Sequence, residues 1–299
     1  MPILQKNAQS PTPTMQLSVN SHDNQRMDCE PVYCYVAGHI HPKVETDSIA
    51  HALRQLIQGG NSSHVNTSIE LNAENLHPLL SQGSYRHFAR EIDWQLSIDG
   101  VVTYQLIPQS EACLDDLIAS LKPQADTLEQ HIVVGKLSEA MVGYKEPPKL
   151  QCEHIMCKPR NVLIAGITEA LKKYAPADNC DKTLLTDKVI APILSHTYNL
   201  GIDDAERALN YVCWNYPDIY AVAYKMLKGG FDNDCQDNQG FSLEDIFYEP
   251  YRLQGQQQIY QVVFEFKGNS SDVQCRWFCR VDASTEYPTL QHGMQRYYG

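Results

Sequence analysis

The sequence lacks the short motifs by which many nucleotide-binding and hydrolytic enzymes are recognised. None of its 299 residues falls in a GxxxxGKS/T, GxGxxG, GxSxG or HExxH segment. The absence of these motifs argues against four kinds of enzyme: nucleotide hydrolases, dinucleotide-dependent oxidoreductases, esterase-type hydrolases and zincin proteases. A run of 18 consecutive apolar residues is also absent, so we expect no membrane-spanning helix and no membrane partner.

Positive charge is scarce. Lys and Arg number 24 against 36 Asp and Glu, which gives a formal charge of -12. A nucleic-acid-binding protein would need a surplus of Lys and Arg on at least one face, so we expect no nucleic-acid partner. With 43% hydrophobic and 20% charged residues, the chain has a globular composition and can bury one large core or two smaller ones.

A secretion signal is not recognisable either. The first residues, Met1-Pro-Ile-Leu-Gln-Lys, do not form a basic region followed by an apolar one, so we expect a cytoplasmic protein. In a reducing compartment the ten cysteines are not expected to form a disulfide framework. No CxxC pair occurs, and we expect most of these cysteines to be buried thiols.

One group of residues nevertheless has metal-ligand chemistry. Cys152, His154 and Cys157 lie close together, and Cys180 could supply a fourth ligand. On a regular strand Cys152 and His154 point to one face, and thiolate and imidazole are the ligands that zinc prefers. The alternative is that these are ordinary residues of a β-strand and that the protein has no cofactor.

A second metal hypothesis concerns two histidines near the start of the ordered chain. His39 and His41 alternate, so a strand would place both imidazoles on one face. Pro42 follows directly, and a solvated polar loop is the alternative interpretation.

Composition and periodicity predict one domain behind an unstructured tail. Residues 1–28 are rich in Gln, Asn, Ser, Pro and Thr, which predicts disorder. Residues 29–299 mix helical and strand patterns without βαβ alternation, so we predict an α+β domain with helices packed on antiparallel sheets. Two closely packed lobes, 29–158 and 159–299, are compatible with this pattern.

Two local signals support that prediction. Asp99-Gly100 separates two β-rich runs, Ile92–Ile98 and Val101–Ile107, and predicts a tight hairpin. Asp203 followed by Glu206 predicts a capping box at the start of a helix.

Tyrosines on or beside this helical region form a candidate binding surface. Tyr211, Tyr216 and Tyr220 could bind a peptide substrate, because tyrosine combines a large apolar area with a polar tip. Packing between helix and sheet is the alternative.

Four segments resemble one known family. Tyr33–Gly38 reads YCYVAG, Glu206–Tyr211 reads ERALNY, and Val102–Pro108 and Phe278–Asp282 are two β-type segments. Their succession is similar to the domain of unknown function at the C-terminus of cyanobactin maturation proteins such as PatG and PatA. The resemblance covers residues 31–299, here in a free-standing chain.

This resemblance implies membership of a pathway for ribosomally synthesised, post-translationally modified peptides. It implies an accessory role, either binding a precursor peptide or organising the modifying enzymes, with the pathway enzymes as further partners. It brings no catalytic motif and does not include the candidate metal ligands. A peptide-modifying enzyme, zinc-dependent through Cys152, His154 and Cys157 or through the His39/His41 pair, is the alternative. A structural homodimer formed by pairing of exposed strands is a third hypothesis.

Overall fold

The structure is a computed structural model of the chain. It describes residues 31–59, 66–123, 130–138, 147–174, 180–231, 237, 239–254 and 257–298, with the backbone alone at 252–254. The predicted tail, 1–28, lies outside these residues. Residues Pro31–Gly299 form one compact unit, while the boundary at 28/29 stays a prediction.

The first half of this unit is a closed five-stranded barrel. Its strands are β1 (Tyr33–Lys43), β2 (Asp93–Ile98), β3 (Val101–Pro108), β4 (Gln130–Leu137) and β5 (Lys149–Lys158). They follow the order β1-β2-β3-β5-β4, and every pair is antiparallel except β3 with β5. A closed five-stranded barrel with this order has the topology of an OB-fold.

Helices connect the barrel strands. A long connection between β1 and β2 carries α1 (Asp47–Ile57), α2 (Ala73–Leu80) and a 3₁₀ helix (Arg86–Glu91), and α3 (Glu111–Ser120) joins β3 to β4. The predicted hairpin between β2 and β3 is confirmed. Asp99 and Gly100 have φ of 47° and 78°, the left-handed conformations that a type I′ turn requires.

The second half of the unit places helices before a four-stranded antiparallel sheet. The helices are α4 (Arg160–Tyr174), α5 (Lys182–Leu185), a π-helical turn (Thr186–Ile190), α6 (Ala191–Ser195), α7 (Asp204–Asn215) and α8 (Asp218–Leu227). The strands are β6 (Phe241–Gln254), β7 (Gln257–Gly268), β8 (Gln274–Asp282) and β9 (Thr289–Tyr297), in that spatial order. None of the helices that the structure describes is long and apolar enough to cross a membrane.

The residues that the structure describes form two hydrophobic cores, and the barrel wall separates them. Cys34, Val36 and Val133 point into the barrel. Their neighbours Tyr35 and Ile132 point outward, where they pack with α7, α8 and the inner face of the C-terminal sheet. The α+β prediction is therefore confirmed, with two lobes built around two sheets.

The cysteines are mainly packed thiols, as expected. Buried thiols occur at Cys34, Cys113, Cys152, Cys213 and Cys279. Cys275 differs, because it is disulfide-bonded. For this residue the expectation of a thiol is wrong.

Candidate functional site

The structure separates the three residues of the predicted zinc site. Val134 and Gly135 of β4 pair with His154 and Cys152 of β5, so Glu153 is an extra residue in a β-bulge. A bulge reverses the alternation of side chains along a strand. Cys152 is consequently buried inside the barrel, whereas the ring of His154 lies outside, 6.0 Å from the ring of Tyr287.

The remaining predicted ligands do not join them. Cys157 is exposed, and Cys180 packs against the second core beside α5. A hydrogen bond with Cys113, together with burial, holds the pKa of Cys152 well above its usual range. Within the described ranges, no three His, Cys, Asp or Glu side chains are grouped as a metal site requires. The zinc hypothesis receives no geometric support from these residues.

The two N-terminal histidines lie on strand β1, and a serine engages one of them. His41 Nε2 is 2.7 Å from the Oγ of Ser97 on β2, and burial together with the charge of His39 lowers the pKa of His41. Nearby, His131 of β4 is 8% exposed and neither of its ring nitrogens has a hydrogen-bond partner. Burial lowers the pKa of His131 to about 4. It is therefore a neutral imidazole held in the barrel wall.

The three tyrosines of the predicted peptide surface differ in their roles. Tyr220 is fully buried, and its hydroxyl donates to the carbonyl of Cys213. Tyr211 is half-buried and packs edge-on against Tyr35, with 6.1 Å between ring centroids. Pro217 interrupts the helical run, so these residues do not share one exposed helix face. Tyr211 instead packs against barrel strand β1, and Tyr220 packs within the second core.

Tyr216, which lies between α7 and α8, connects the two helices to the C-terminal sheet. Its Oη accepts a hydrogen bond from the backbone N–H of Met294 in β9 at 3.0 Å and donates to Asp218 at 3.2 Å. The residue is half-buried. Peptide binding by Tyr211 and Tyr216 stays a prediction.

The ERALNY segment joins the two lobes, a role that its sequence did not disclose. Glu206 accepts from the N–H of Ile202, the residue before the N-cap, at 3.3 Å, and Asp203 makes no side-chain cap, so the predicted capping box does not form. Arg207 is almost completely buried and donates to the carbonyls of Ala283 and Glu286. Arg207 thus holds the loop between β8 and β9 against the start of α7.

Two carboxylates from different lobes meet beside Arg207. Glu286 lies in the loop between β8 and β9, and Glu153 is the bulged residue of β5. Burial, followed by the hydrogen bond and negative charge of Glu153, raises the pKa of Glu286 to about 7. Near neutral pH Glu286 is therefore protonated in a sizeable fraction of the molecules.

A groove on the outer surface of the barrel is a concave site among the described residues. It has a volume of about 320 Å³ and lies between the 3₁₀ helix and strands β2 and β3. Its lining combines charged groups, an amide and apolar side chains, contributed by Ala89–Trp94 and Gln105–Pro108. Sequence reasoning missed it, because the 3₁₀ helix and β3 meet only in the folded chain.

The groove has an ordered polar wall. Asp93 accepts hydrogen bonds from the side-chain amides of Gln95, at 2.9 Å, and Gln105. The indole of Trp94 donates to the carbonyl of Ala89 at 2.9 Å and fixes the 3₁₀ helix against β2. These bonds orient the Gln105 amide beside the apolar Ile107 and Pro108, so the groove offers both hydrogen-bonding and apolar surface.

Comparison with known proteins agrees with this architecture. The family model described as PatG Domain matches residues 33–158, which contain the barrel, and PatG C-terminal matches residues 177–297, which contain α5–α8 and the second sheet. A solved structure described as "PatG Domain of Unknown Function" has a TM-score of 0.62 at 17% identity, over 89% of this chain and 98% of that chain. No curated protein matches the chain. The two regions together take in most of the chain, and it belongs to the PatG-domain family.

Proposed function

We propose that this chain is an accessory protein of a cyanobactin-like pathway and that it binds the precursor peptide in the barrel groove. Membership of the PatG-domain family supports the pathway assignment. The groove supports the proposal that the chain binds a peptide. Its volume of about 320 Å³ falls at the lower end of the range for ligand sites.

The position of the groove supports a binding role. In OB-fold barrels the face formed by strands 2 and 3 is the usual ligand face, and the groove lies on β2 and β3. A fold alone does not specify a ligand, which depends on the chemistry of the side chains that line the groove.

That chemistry favours a peptide over a nucleic acid. Arg90 is the only cation of the lining, and it stands beside Glu91 and Asp93. Its guanidinium is also paired with Glu111. A phosphate backbone would meet net negative charge here, whereas a peptide can use the Gln105 amide for its main chain and Ile107 for an apolar side chain.

Calorimetric titration can test this proposal. Overlapping synthetic peptides spanning a cyanobactin precursor peptide would be titrated into the full chain. We expect one segment to bind, and we expect Gln105→Leu to weaken its binding about tenfold, the effect of losing roughly 1.4 kcal/mol.

Gln109→Leu is the matched control, since Gln109 is exposed and lies beyond the groove lining. It should leave the affinity unchanged, and circular dichroism should show that both variants are folded. The proposal is wrong if no segment binds, or if the two substitutions weaken binding equally.

A further inference from the structure

One wall of the barrel groove carries two carboxylates. Glu91 and Asp93 both line the groove, at the point where the 3₁₀ helix leads into β2. Ile92 between them has an extended backbone, with φ of -87° and ψ of 134°. Residues two positions apart in an extended segment point to the same side, so the two carboxylates belong to the same wall of the groove.

The two arginines of the 3₁₀ helix are already paired with acidic residues of α3. Arg90, which lines the groove, pairs with Glu111. Arg86 pairs with Glu111 as well and, at 2.7 Å, with Asp115. The two positive charges of the 3₁₀ helix are therefore balanced by two carboxylates of α3 and do not neutralise the groove.

A lysine on the neighbouring strand is also paired elsewhere. Lys43 of β1 lies opposite Asp93 in the strand pairing, and its ammonium group pairs with Glu45 at 2.7 Å. Among the residues that the structure describes, neither Glu91 nor Asp93 forms an ion pair. The side-chain partners of Asp93 are neutral amides, one of which belongs to Gln105. An occupant of the groove therefore meets two negative charges.

An apolar side chain lies beside these carboxylates. Strands β2 and β3 pair Trp94 with Leu106, and the next position of the same register places Asp93 opposite Ile107. Directly opposite residues of antiparallel strands have Cβ atoms about 5 Å apart and share one face of the sheet. Ile107 is half-buried and lines the groove. The groove thus presents negative charge and an apolar contact side by side.

We propose that, given the peptide binding proposed above, the groove selects a segment with a lysine or arginine and an apolar residue two positions away. Its cation contacts Glu91 and Asp93, and its apolar side chain contacts Ile107. Side chains two positions apart in an extended peptide point to the same side, so one segment can make both contacts. The formal charge of -12 on the chain adds a general attraction for a cationic segment.

Model peptides of the pattern glycine–isoleucine–glycine–X–glycine–isoleucine–glycine, capped at both ends, test this selectivity. X is lysine, norleucine or glutamate, so the peptides differ in charge but share their length and apolar residues. Each is titrated to millimolar concentration into the isotopically labelled full chain and followed by NMR. The side-chain amide signal of Gln105, identified by its loss in Gln105→Leu, reports occupancy of the groove. We expect the lysine peptide to bind about tenfold more tightly than the norleucine peptide, and the glutamate peptide to bind most weakly.

Glu91→Gln and Asp93→Asn remove the charges while retaining the size and shape of the side chains. Each should weaken binding of the lysine peptide about threefold, and the double variant should bind the lysine and norleucine peptides equally. Added salt should also reduce the preference for lysine. Asp187→Asn makes the same change at an exposed residue of the π-helical turn and should leave the preference intact. Circular dichroism should show that all variants are folded.

Equal affinity of the wild type for the lysine and norleucine peptides would overturn the charge selectivity and leave the peptide-binding proposal standing. A preference that persists in the double variant, or that Asp187→Asn reduces as much, would overturn it too. So would binding of a precursor segment that has no lysine or arginine. If none of the model peptides binds, the selectivity is wrong, and the titration with precursor segments decides separately whether the groove binds a peptide.

Discussion

The side-chain amide of Asn210 in α7 donates a 2.8 Å hydrogen bond to the main-chain carbonyl of Tyr35 in barrel strand β1. Its amide is also paired reciprocally with that of Asn199, at 2.8 and 2.9 Å. Asn199 in turn accepts from the N–H of Gly201, whose carbonyl accepts from the N–H of Tyr35. These bonds join the two lobes where their backbones come closest.

Asn210→Ala should weaken this connection. The buried carbonyl of Tyr35 and the amide of Asn199 would each lose a partner, and we expect the free energy of unfolding to fall by roughly 2–4 kcal/mol. Denaturant unfolding measures this change. In a double-mutant cycle with Asn199→Ala, the two losses should be strongly non-additive. Purely additive losses would show that the amide pair does not act as a unit.

Gly201→Ala should be destabilising for steric reasons. Gly201 has φ of +62°, and a Cβ at this position would lie 2.2 Å from the carbonyl oxygen of Tyr35. Strain and displacement of β1 together should cost about 2–4 kcal/mol.

Gly83→Ala provides the control for that substitution, because a Cβ at Gly83 meets no atom within 4 Å. Thermal unfolding should show a lower Tm for Gly201→Ala and almost no change for Gly83→Ala. Equal Tm values for the two variants would contradict the close approach of the two backbones.

Deprotonation of Glu286 predicts a loss of stability as the pH rises from acid to neutral. The folded state raises the pKa of Glu286 from 4.5 to about 7, so it binds the proton more tightly than the unfolded chain does. This contribution is present below pH 4.5 and is lost as pH rises through about 7. Because Glu286 is only half-buried, we expect a loss of roughly 1–2 kcal/mol.

Glu286→Gln should remove this dependence, since its amide can hydrogen-bond to Glu153 without titrating. Chemical unfolding between pH 5.5 and about 8.5 would compare it with Glu74→Gln, a control at an exposed helix residue. If wild type and Glu286→Gln lose stability in parallel, Glu286 does not titrate as described.

His131 predicts the opposite behaviour in acid. Burial lowers its pKa from 6.5 to about 4, so the unfolded chain binds the proton more tightly. Stability should therefore be retained above pH 6.5 and fall by about 3 kcal/mol as the pH drops through 4. His131→Leu should lose less stability over this interval, as measured by urea unfolding. An unchanged pH slope would show that His131 is not held neutral.

Local patterns explain how much of the fold could be predicted. Alternation in β2 and β3 and the Asp99-Gly100 turn identified a hairpin, since these features depend on neighbouring residues alone. The candidate zinc site could not be judged in this way. The bulge at Glu153 arises from the register between β4 and β5, and it turns Cys152 away from His154.

The sequence by itself determined the α+β class, the family and the acidic character of the protein, because composition, short periodic patterns and a succession of recognisable segments suffice for these. Only the tertiary structure decided that β3 and β5 pair in parallel to close a barrel, and that Tyr220 is buried. It also decided that the ERALNY segment links the two lobes through Asn210 and Tyr35. The physical reason is that these relationships join residues far apart in the chain, so no local pattern contains them.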